Sequence, residues 1–465
     1  MIPLILVLLS LILSLFLSIY SIRSLVFFHM ARMAAIENEL FSRRKSTTIG
    51  PNIINPPFVS ILVAAHNEQL VLDRLMISCA SLTYDPNKFE IIVVDDASED
   101  GTYDILKKWT QKIPNLKVIR RIVRIGWKGG ALNLALKNIN SNSSFVFVVD
   151  ADNILVSDVL KRFVSSFLNS YSVHRSRVDV IQGRPIPRVY SNRNNSNHNL
   201  KKNDNNNNSS LNWVARGIDF RLAQRNMVEF LAKDHMGLPV QIIGSLFMIR
   251  SHVIKSIGFS NDISEDWDLT LDVYLSSYPK NKHQQYCKKS KKKENVAIFN
   301  SSLISYNEVT TNLTSYLRQR MRVSEGHTRG FRRRFVMILS SNTLPFIDKI
   351  ELLFLGLHYV KFIPLLALII IDSSMLLMSI PINLFDIISH NLVKLSLLVQ
   401  AANLFATIVI IYMSISLCLN TRNYNAKDVL YLLFLNLLTM PFLALGSLRG
   451  TIKNKGIFYK TKRNS

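Results

Sequence analysis

What most constrains the fold of this 465-residue chain is where its apolar residues fall. They concentrate at residues 3–22 and again after about residue 352, while polar residues fill the middle. A single soluble core would draw on apolar residues along the whole length. The segregation therefore excludes a simple soluble enzyme and predicts a membrane protein with one large water-facing domain. Pro3–Ile22 carries no charge and is about long enough to span a bilayer. A cleaved signal peptide needs a basic start, a shorter apolar core and a small-x-small cleavage site. None of these is present, so residues 1–28 read as an uncleaved transmembrane anchor. Arg23, Arg32 and the basic stretch Arg43–Lys45 follow it, which by the positive-inside rule starts the next region in the cytoplasm.

Residues 353–450 hold three further apolar runs, near Val360–Ile382, Ser396–Leu419 and Val429–Leu448. The cluster Arg329–Arg334, the nearly uncharged loop Pro381–Lys394, and Arg422 with Lys427 fit one crossing outward and one back. If the third run also crossed, the basic tail 451–465 would be outside, against the same rule. That run also contains Asn436 and Pro441. It is expected to lie along or dip into the cytoplasmic face, giving three crossings and a cytosolic tail. Asp372 falls inside the first of these runs, which also holds Lys361. Either the carboxylate faces other helices or a polar conduit, or the two charges sit near opposite helix ends and snorkel. The net charge of +24 lies largely beside apolar segments or in the run Lys288–Lys293. It reads as attraction to membrane lipids, and no nucleic acid partner is expected. The three cysteines, Cys79, Cys287 and Cys418, are far apart, which excludes a disulfide scaffold and a cysteine-based zinc site.

From Phe58 onward short apolar runs alternate with helical patterns. Phe58–Ala65, Phe89–Val94, Leu116–Arg121 and Phe145–Val149 read as strands, with helices over Glu68–Ala80 and Tyr103–Gln111 between them. The strands are continuously apolar rather than alternating, so both sheet faces are covered. The fold class is α/β: a cytosolic, mostly parallel sheet domain over residues 55–312, with ligands expected at the carboxyl ends of the strands, plus transmembrane helices. Interfacial helices are expected over 313–352. Residues 190–210 are dominated by Asn and read as a disordered insertion, and Pro279–Glu294 as a second polar loop.

Acidic groups stand where strands end. Asp95 and Asp96 follow one strand, and Asp150 and Asp152 follow another. Ser264-Glu265-Asp266 follows the apolar stretch Ile242–Ile249. Two carboxylates in an Asp-x-Asp can share one divalent cation and a diphosphate, and hard oxygen ligands suit Mg²⁺ or Mn²⁺. Lys128-Gly129-Gly130 lies between the first two sites. It reads as a turn before a helix whose lysine can also meet a phosphate, without the spacing of a Walker loop. Gln319 and Arg322 are three apart on a basic helical stretch, hence on one face. By itself that stretch fits a helix touching lipid head groups.

Taken together and in this order, the motifs resemble the family-2 glycosyltransferases, in particular the membrane-embedded cellulose, chitin, hyaluronan and mannan synthases. The likeness spans about Phe58–Gly330. It rests on Asp95-Asp96, Lys128–Asn133, Asp150-Ala151-Asp152, Ser264-Glu265-Asp266 and Gln319–Val323. The resemblance implies a GT-A, Rossmann-like fold and inverting transfer from a nucleotide-sugar donor. It implies that Asp95 and Asp96 hold the nucleoside, and that Asp152 with Asp150 handles metal and diphosphate. Asp266 would be the general base, supported by Glu265, and Gln319 and Arg322 would grip the leaving diphosphate. Val323 departs from the family by standing where the synthases carry a tryptophan that stacks on the acceptor sugar, and a valine offers no flat ring. Trp267 is the nearest substitute, with packing as its other reading. The tail Phe458–Arg463 partly matches the gating-loop motif of the cellulose synthase-like enzymes.

The expected protein is therefore a multi-pass enzyme of the plasma membrane with a cytoplasmic catalytic domain, elongating a β-glycan. The alternatives are a non-processive transferase acting on a lipid acceptor and a catalytically dead scaffold subunit. The tail motif and Asp372 favour the polymer; Val323 and the small number of crossings favour the glycolipid.

Overall fold

The computed structural model describes residues 2–44, 55–174, 178–188, 212–277, 296–377, 386–419 and 423–453. The Asn-rich stretch 190–210, the basic loop 279–294, Cys287 and the tail motif 458–463 lie outside them.

The strands are β1 (Phe58–Ala65), β2 (Phe89–Asp96), β3 (Leu116–Arg121), β4 (Ser143–Val148), β5 (Ile154–Leu155), β6 (Val180–Arg188), β7 (Phe247–Arg250) and β8 (Ala297–Glu308). They form one eight-stranded sheet in the order β3-β2-β1-β4-β7-β6-β8-β5. The first four pair in parallel, as read from the sequence. Beyond them the sheet is mixed: β7 runs antiparallel to β4 and β6, β5 antiparallel to β8, and β6 parallel to β8. Continuous apolar strands do bury both faces. Val59, Ile61, Val63, Ile91 and Val93 enter one core, and Leu62, Ile92, Val94, Val146 and Val148 the other. Successive strand residues point to opposite faces, so a run without polar gaps supplies two cores at once.

The first core lies under α2 (Leu72–Ala80), α3 (Thr102–Thr110) and α5 (Val159–His174). The second lies under α4 (Trp127–Lys137), α8 (Ser251–Ile257) and α9 (Glu265–Ser277). It extends to Phe331 of α10 (Leu313–Ser340) and Leu352 of α11 (Phe346–Gly356), so these two helices are part of the domain's core. Between β6 and β7 run α6 (Trp213–Gln224), a π-helical turn over Arg225–Phe230, and α7 (Leu231–Met236).

Among the described residues three helices are long and apolar enough to cross a membrane, with spans at Ile5–Glu37, Lys394–Cys418 and Ala426–Ile452. The first belongs to α1 (Ile2–Arg44), which continues well past residue 28. The sequence from Leu4 to Arg44 contains no Gly or Pro to stop it. Arg23 on α1 pairs with Glu351 at 2.6 Å, and Lys233 pairs with Glu351 at 3.2 Å and with Glu229 at 2.6 Å. This knot ties α1 to α7 and α11. Of the three later runs, α12 (Phe362–Leu377) is the short one. α13 begins at Asp386, so the second half of the expected loop Pro381–Lys394 is helical. α14 (Ala426–Ile452) is unbroken through Pro441 and the most buried of the three long spans. It packs along α10 and α6. A Cβ at Gly446 would collide with the Met321 carbonyl and come within 2.9 Å of the Ser324 Cβ, so only glycine allows this approach. Ser324 Oγ, in turn, donates to the Leu443 carbonyl at 2.7 Å.

Asp372 faces other helices rather than snorkelling. It accepts from Ser10 Oγ at 2.9 Å, and Ser10 also meets Ser396 at 2.8 Å. Asn403 donates to Ser18 at 3.0 Å, extending the polar seam between α1 and α13. Lys361 lies 4.6 Å over the Tyr20 ring.

Candidate active site

The order β3-β2-β1-β4 puts the ends of β2 and β4 on either side of β1. Ligands of open α/β sheets bind outside such carboxyl ends. A cavity of about 520 Å³ opens there. The sheet contributes His66, Asp96, Asp150 and Asp152 to its lining; α9 contributes Asp266, and α10 contributes Gln319 and Arg322. Five segments spread over more than half the chain thus meet at one space.

Asp95 does not join them. It is 0% exposed and pairs with Arg120 of β3 at 3.4 Å. Asp96 pairs with Arg121 at 3.0 Å and with Arg124 at 3.1 Å, and lines the cavity. Asp95 is in register with Arg120 and Asp96 with Arg121, so the two pairs emerge on opposite faces of the sheet. Adjacent strand residues cannot both face one ligand. Burial raises the Asp96 carboxyl, and Arg121 and Arg124 oppose that shift. The sequence reading missed Arg121 and Arg124. The signal for Arg121 was the basic pair Arg120-Arg121 at the end of β3, opposite the acidic pair of β2.

Lys128 is the hub of the acidic residues. It lies in the first turn of α4, after Gly126 in a left-handed conformation. Its Nζ stands 2.7 Å from Asp150 Oδ1 and 3.2 Å from Glu265 Oε1, and donates to the Gly244 carbonyl at 2.7 Å. Burial alone would lower its pKa. Asp150, Glu265 and Asp266 outweigh burial and hold the ammonium above its ordinary value. Burial raises Asp150, Lys128 lowers it, and the neighbouring Asp152 raises it again.

Asp266 sits at the start of α9, and Oδ1 accepts from the Trp267 amide at 2.8 Å. Burial, then the Glu265 charge, push its carboxyl up to about 7. A group with that pKa exchanges protons near neutrality, as a general base must. Gly244, at φ +78°, faces it: a Cβ there would lie 3.1 Å from Asp266 Oδ2. Trp267 is buried and stacked on His327 at 4.1 Å, which is a packing role. Trp267 and Val323 both line the cavity. Burial lowers the Arg322 guanidinium, while Glu265 and Asp266 raise it.

Asp150 and Asp152 both line the cavity, and no third acidic, His or Cys side chain completes a metal-holding group among the described residues. Two carboxylates fit Mg²⁺ or Mn²⁺, which commonly take only one or two from the protein and the rest from substrate phosphates and water. The cavity also holds Arg221, Arg225 and Tyr359, on which the sequence reading was silent, and Arg320, which it read only as part of the basic stretch Gln319–Val323.

Residues 60–228 match the family described as Glycosyl transferase family 2. The beta-monoglucosyldiacylglycerol synthases of Trichormus variabilis and a Nostoc species are each 37% identical over 227 residues, 48% of this chain. The match spans 42% of those relatives' own length. A poly(ribitol-phosphate) beta-glucosyltransferase of Bacillus spizizenii is 30% identical over 131 residues, 28% of this chain and 20% of that protein. Among solved structures, the mannosyltransferase PcManGT of Pyrobaculum calidifontis, in complex with GDP-Man and Mn²⁺, superposes with a TM-score of 0.53 at 16% identity. That superposition covers 94% of this chain and 99% of the other, and it shows the fold. Residues 60–228 are thus a glycosyl transferase family 2 domain, and the fold is GT-A with apolar helices attached.

Proposed function

We propose that this family 2 domain transfers a sugar, with inversion, from a nucleotide-sugar to a hydroxyl of a lipid acceptor at the cytoplasmic face of a membrane. The observation that carries the reading is the shared wall of the cavity. Its lining joins Asp96, Asp150 and Asp152 at the strand ends to residues of α10, which packs along the apolar helix α14. Such a site receives a water-soluble donor from one side and an amphiphile from the other. The diacylglycerol in the names of the Trichormus and Nostoc relatives supports a lipid acceptor. So does Val323, which lines the cavity without a ring for a glycan chain. The two features that favoured a polymer have less force. The tail motif lies outside the described residues, and the Ser10 hydrogen bond accounts for Asp372 as a helix–helix contact.

In the proposed reaction the acceptor oxygen attacks the anomeric carbon and the bond to the β-phosphate oxygen breaks. Asp266 takes the acceptor proton, and Glu265 with Lys128 sets its basicity. Gln319 and Arg322 orient the departing diphosphate, where a cation counts most as charge develops. Asp96 with Arg124 lies at the nucleoside end. Asp150 and Asp152 would hold Mg²⁺ or Mn²⁺, which neutralises phosphate charge when bound.

The test uses purified full-length protein in lipid with a panel of UDP- and GDP-sugars. Nucleotide release that stops on chelation and returns with Mn²⁺ or Mg²⁺, with labelled product in the organic phase, is expected. High-mass water-soluble product would overturn the lipid reading in favour of the β-glycan one. No turnover with any donor would favour the scaffold.

A further inference from the structure

We propose that the cavity contains a second anion-binding subsite, made by Arg221, Arg225 and Arg320, that grips a phosphate in the acceptor's head group. This rests on the lipid-acceptor reading and narrows it to lipids carrying a phosphate beside the hydroxyl that receives the sugar.

All three arginines line the cavity. Arg221 lies on α6, and Arg225 one turn later where the helix widens into its π turn. Turns of this kind recur at functional sites because the extra residue re-aims side chains. Arg320 lies on α10. Their partners are neutral. Arg221 donates to Asn436 Oδ1, Arg225 lies 5.4 Å over the Phe230 ring, and Arg320 donates to the Tyr359 hydroxyl at 3.1 Å. Among the described residues the Nε atoms of Arg225 and Arg320 are buried without a hydrogen-bond partner. Burial lowers the guanidinium pKa of Arg221 and Arg225, and the charge of Arg320 pushes both the same way. The carboxylate near Arg225, Glu229, is taken up by Lys233 at 2.6 Å and Arg23 at 3.7 Å. Three guanidiniums near only Glu229, which pairs elsewhere, and Asp266 are under-compensated, and an anionic ligand relieves that cost.

This cluster is distinct from the cations on the donor side. Lys128 pairs with Asp150, Arg124 with Asp96, and Arg322 feels Glu265, Arg124 and Asp266. Arg320 and Arg322 are two residues apart on a helix, so they project in different directions. Asp266 lines the same cavity as both groups. The elements that carry the cluster are packed on the apolar helices: α6 and α10 on α14, and the π turn on α1. A ligand with an apolar tail along those helices brings its head group to these arginines and its hydroxyl to Asp266.

The test uses the full chain in micelles of lauryldimethylamine oxide, a phosphate-free detergent, with the sugar donor that gives turnover. Diacylglycerol and phosphatidylglycerol are compared as acceptors, products being weighed by mass spectrometry. Phosphatidic acid and inorganic phosphate serve as inhibitors. Phosphatidylglycerol is expected to be the better acceptor. R225Q and R320Q each should raise its KM about 10- to 100-fold, the scale of a lost charge-assisted hydrogen bond. Donor KM and UDP or GDP binding should stay within about twofold, which also shows that the variants fold. R225K should retain most of the affinity. Inhibition by phosphatidic acid, and not by the same concentration of inorganic phosphate, would support a lipid phosphate; equal inhibition would overturn it. If R225Q weakens nucleotide binding as R322Q does, the cluster serves the donor and the inference falls. Diacylglycerol used as well as phosphatidylglycerol, and unchanged in R225Q, would sink the subsite and leave the lipid-acceptor reading standing. Glycosylation of water-soluble glycan alone would remove both.

Discussion

Replacing Asp266 with Asn should separate its catalytic role from its cost to the fold. Burial and the Glu265 charge raise its carboxyl from 3.8 to about 7. Three pH units correspond to roughly 4 kcal/mol at about 1.36 kcal/mol per unit. The sign follows from proton binding. With its pKa raised on folding, the native state holds the proton more tightly than the unfolded chain. Below about pH 4 both states are protonated and nothing is lost. As pH rises towards 7 the unfolded chain ionises freely while the native site resists, so stability falls, and the full penalty stands above pH 7. Asparagine copies the protonated form. The variant should match wild type at pH 4 and exceed it at pH 8 by up to roughly 4 kcal/mol, on the order of 10 °C in melting temperature. Turnover should fall about 10²–10⁴-fold, and the rise of wild-type kcat/KM with pH near 7 should disappear from the residual activity. The assays are melting curves and pH–rate profiles of both proteins in the same lipid. A stability difference that is flat from pH 4 to 8, or an acid limb unchanged in the variant, would refute the argument.

Lys128→Met removes the ammonium that lies 2.7 Å from Asp150 and 3.2 Å from Glu265. Leaving those acids unpaired should destabilise the protein by about 3–5 kcal/mol at pH 8 and move the acid limb to higher pH, because Asp266 loses a neighbour that lowers it; melting and pH–rate curves report both. Gly446→Leu should push α14 off α10, where the Met321 carbonyl and Ser324 leave no room for a side chain. Overpacking of this kind costs about 1–3 kcal/mol, and since Gln319 and Arg322 ride on α10, kcat should fall along with melting temperature, with Gly446→Ala in between.

Much of the scaffold was legible because it depends on local pattern. β1 occupies Phe58–Ala65, the residues that the apolar run marked, since a strand buried on both faces has no polar interruption; β3 occupies Leu116–Arg121 as an edge strand in which only Leu116 is buried. Asp150 and Asp152 could be placed because a carboxylate just past such a strand stands at the sheet's ligand-binding edge. The apolar segments also announced themselves, but not their limits. α1 runs on to Arg44 because the charges that close a hydropathy window do not break a helix; Arg23 is satisfied by Glu351 from 328 positions away.

Tertiary structure decided everything that depends on which distant groups meet. Two adjacent aspartates look equivalent in sequence, yet the pleat sends Asp95 to Arg120 and Asp96 to the cavity. The Asp266 carboxyl is an ordinary acid until burial and Glu265 raise it, with Lys128 brought from α4 as the opposing charge. α14 carries a Pro and an Asn, yet it is unbroken; Gly446 lets its backbone close on α10, and Asn436 meets Arg221. The three arginines Arg221, Arg225 and Arg320 carry no shared motif; only the packing of α6 and of α10 on α14 collects them. Local sequence specifies period and termination, whereas charge, burial and pKa are set by neighbours that the chain brings together only when folded.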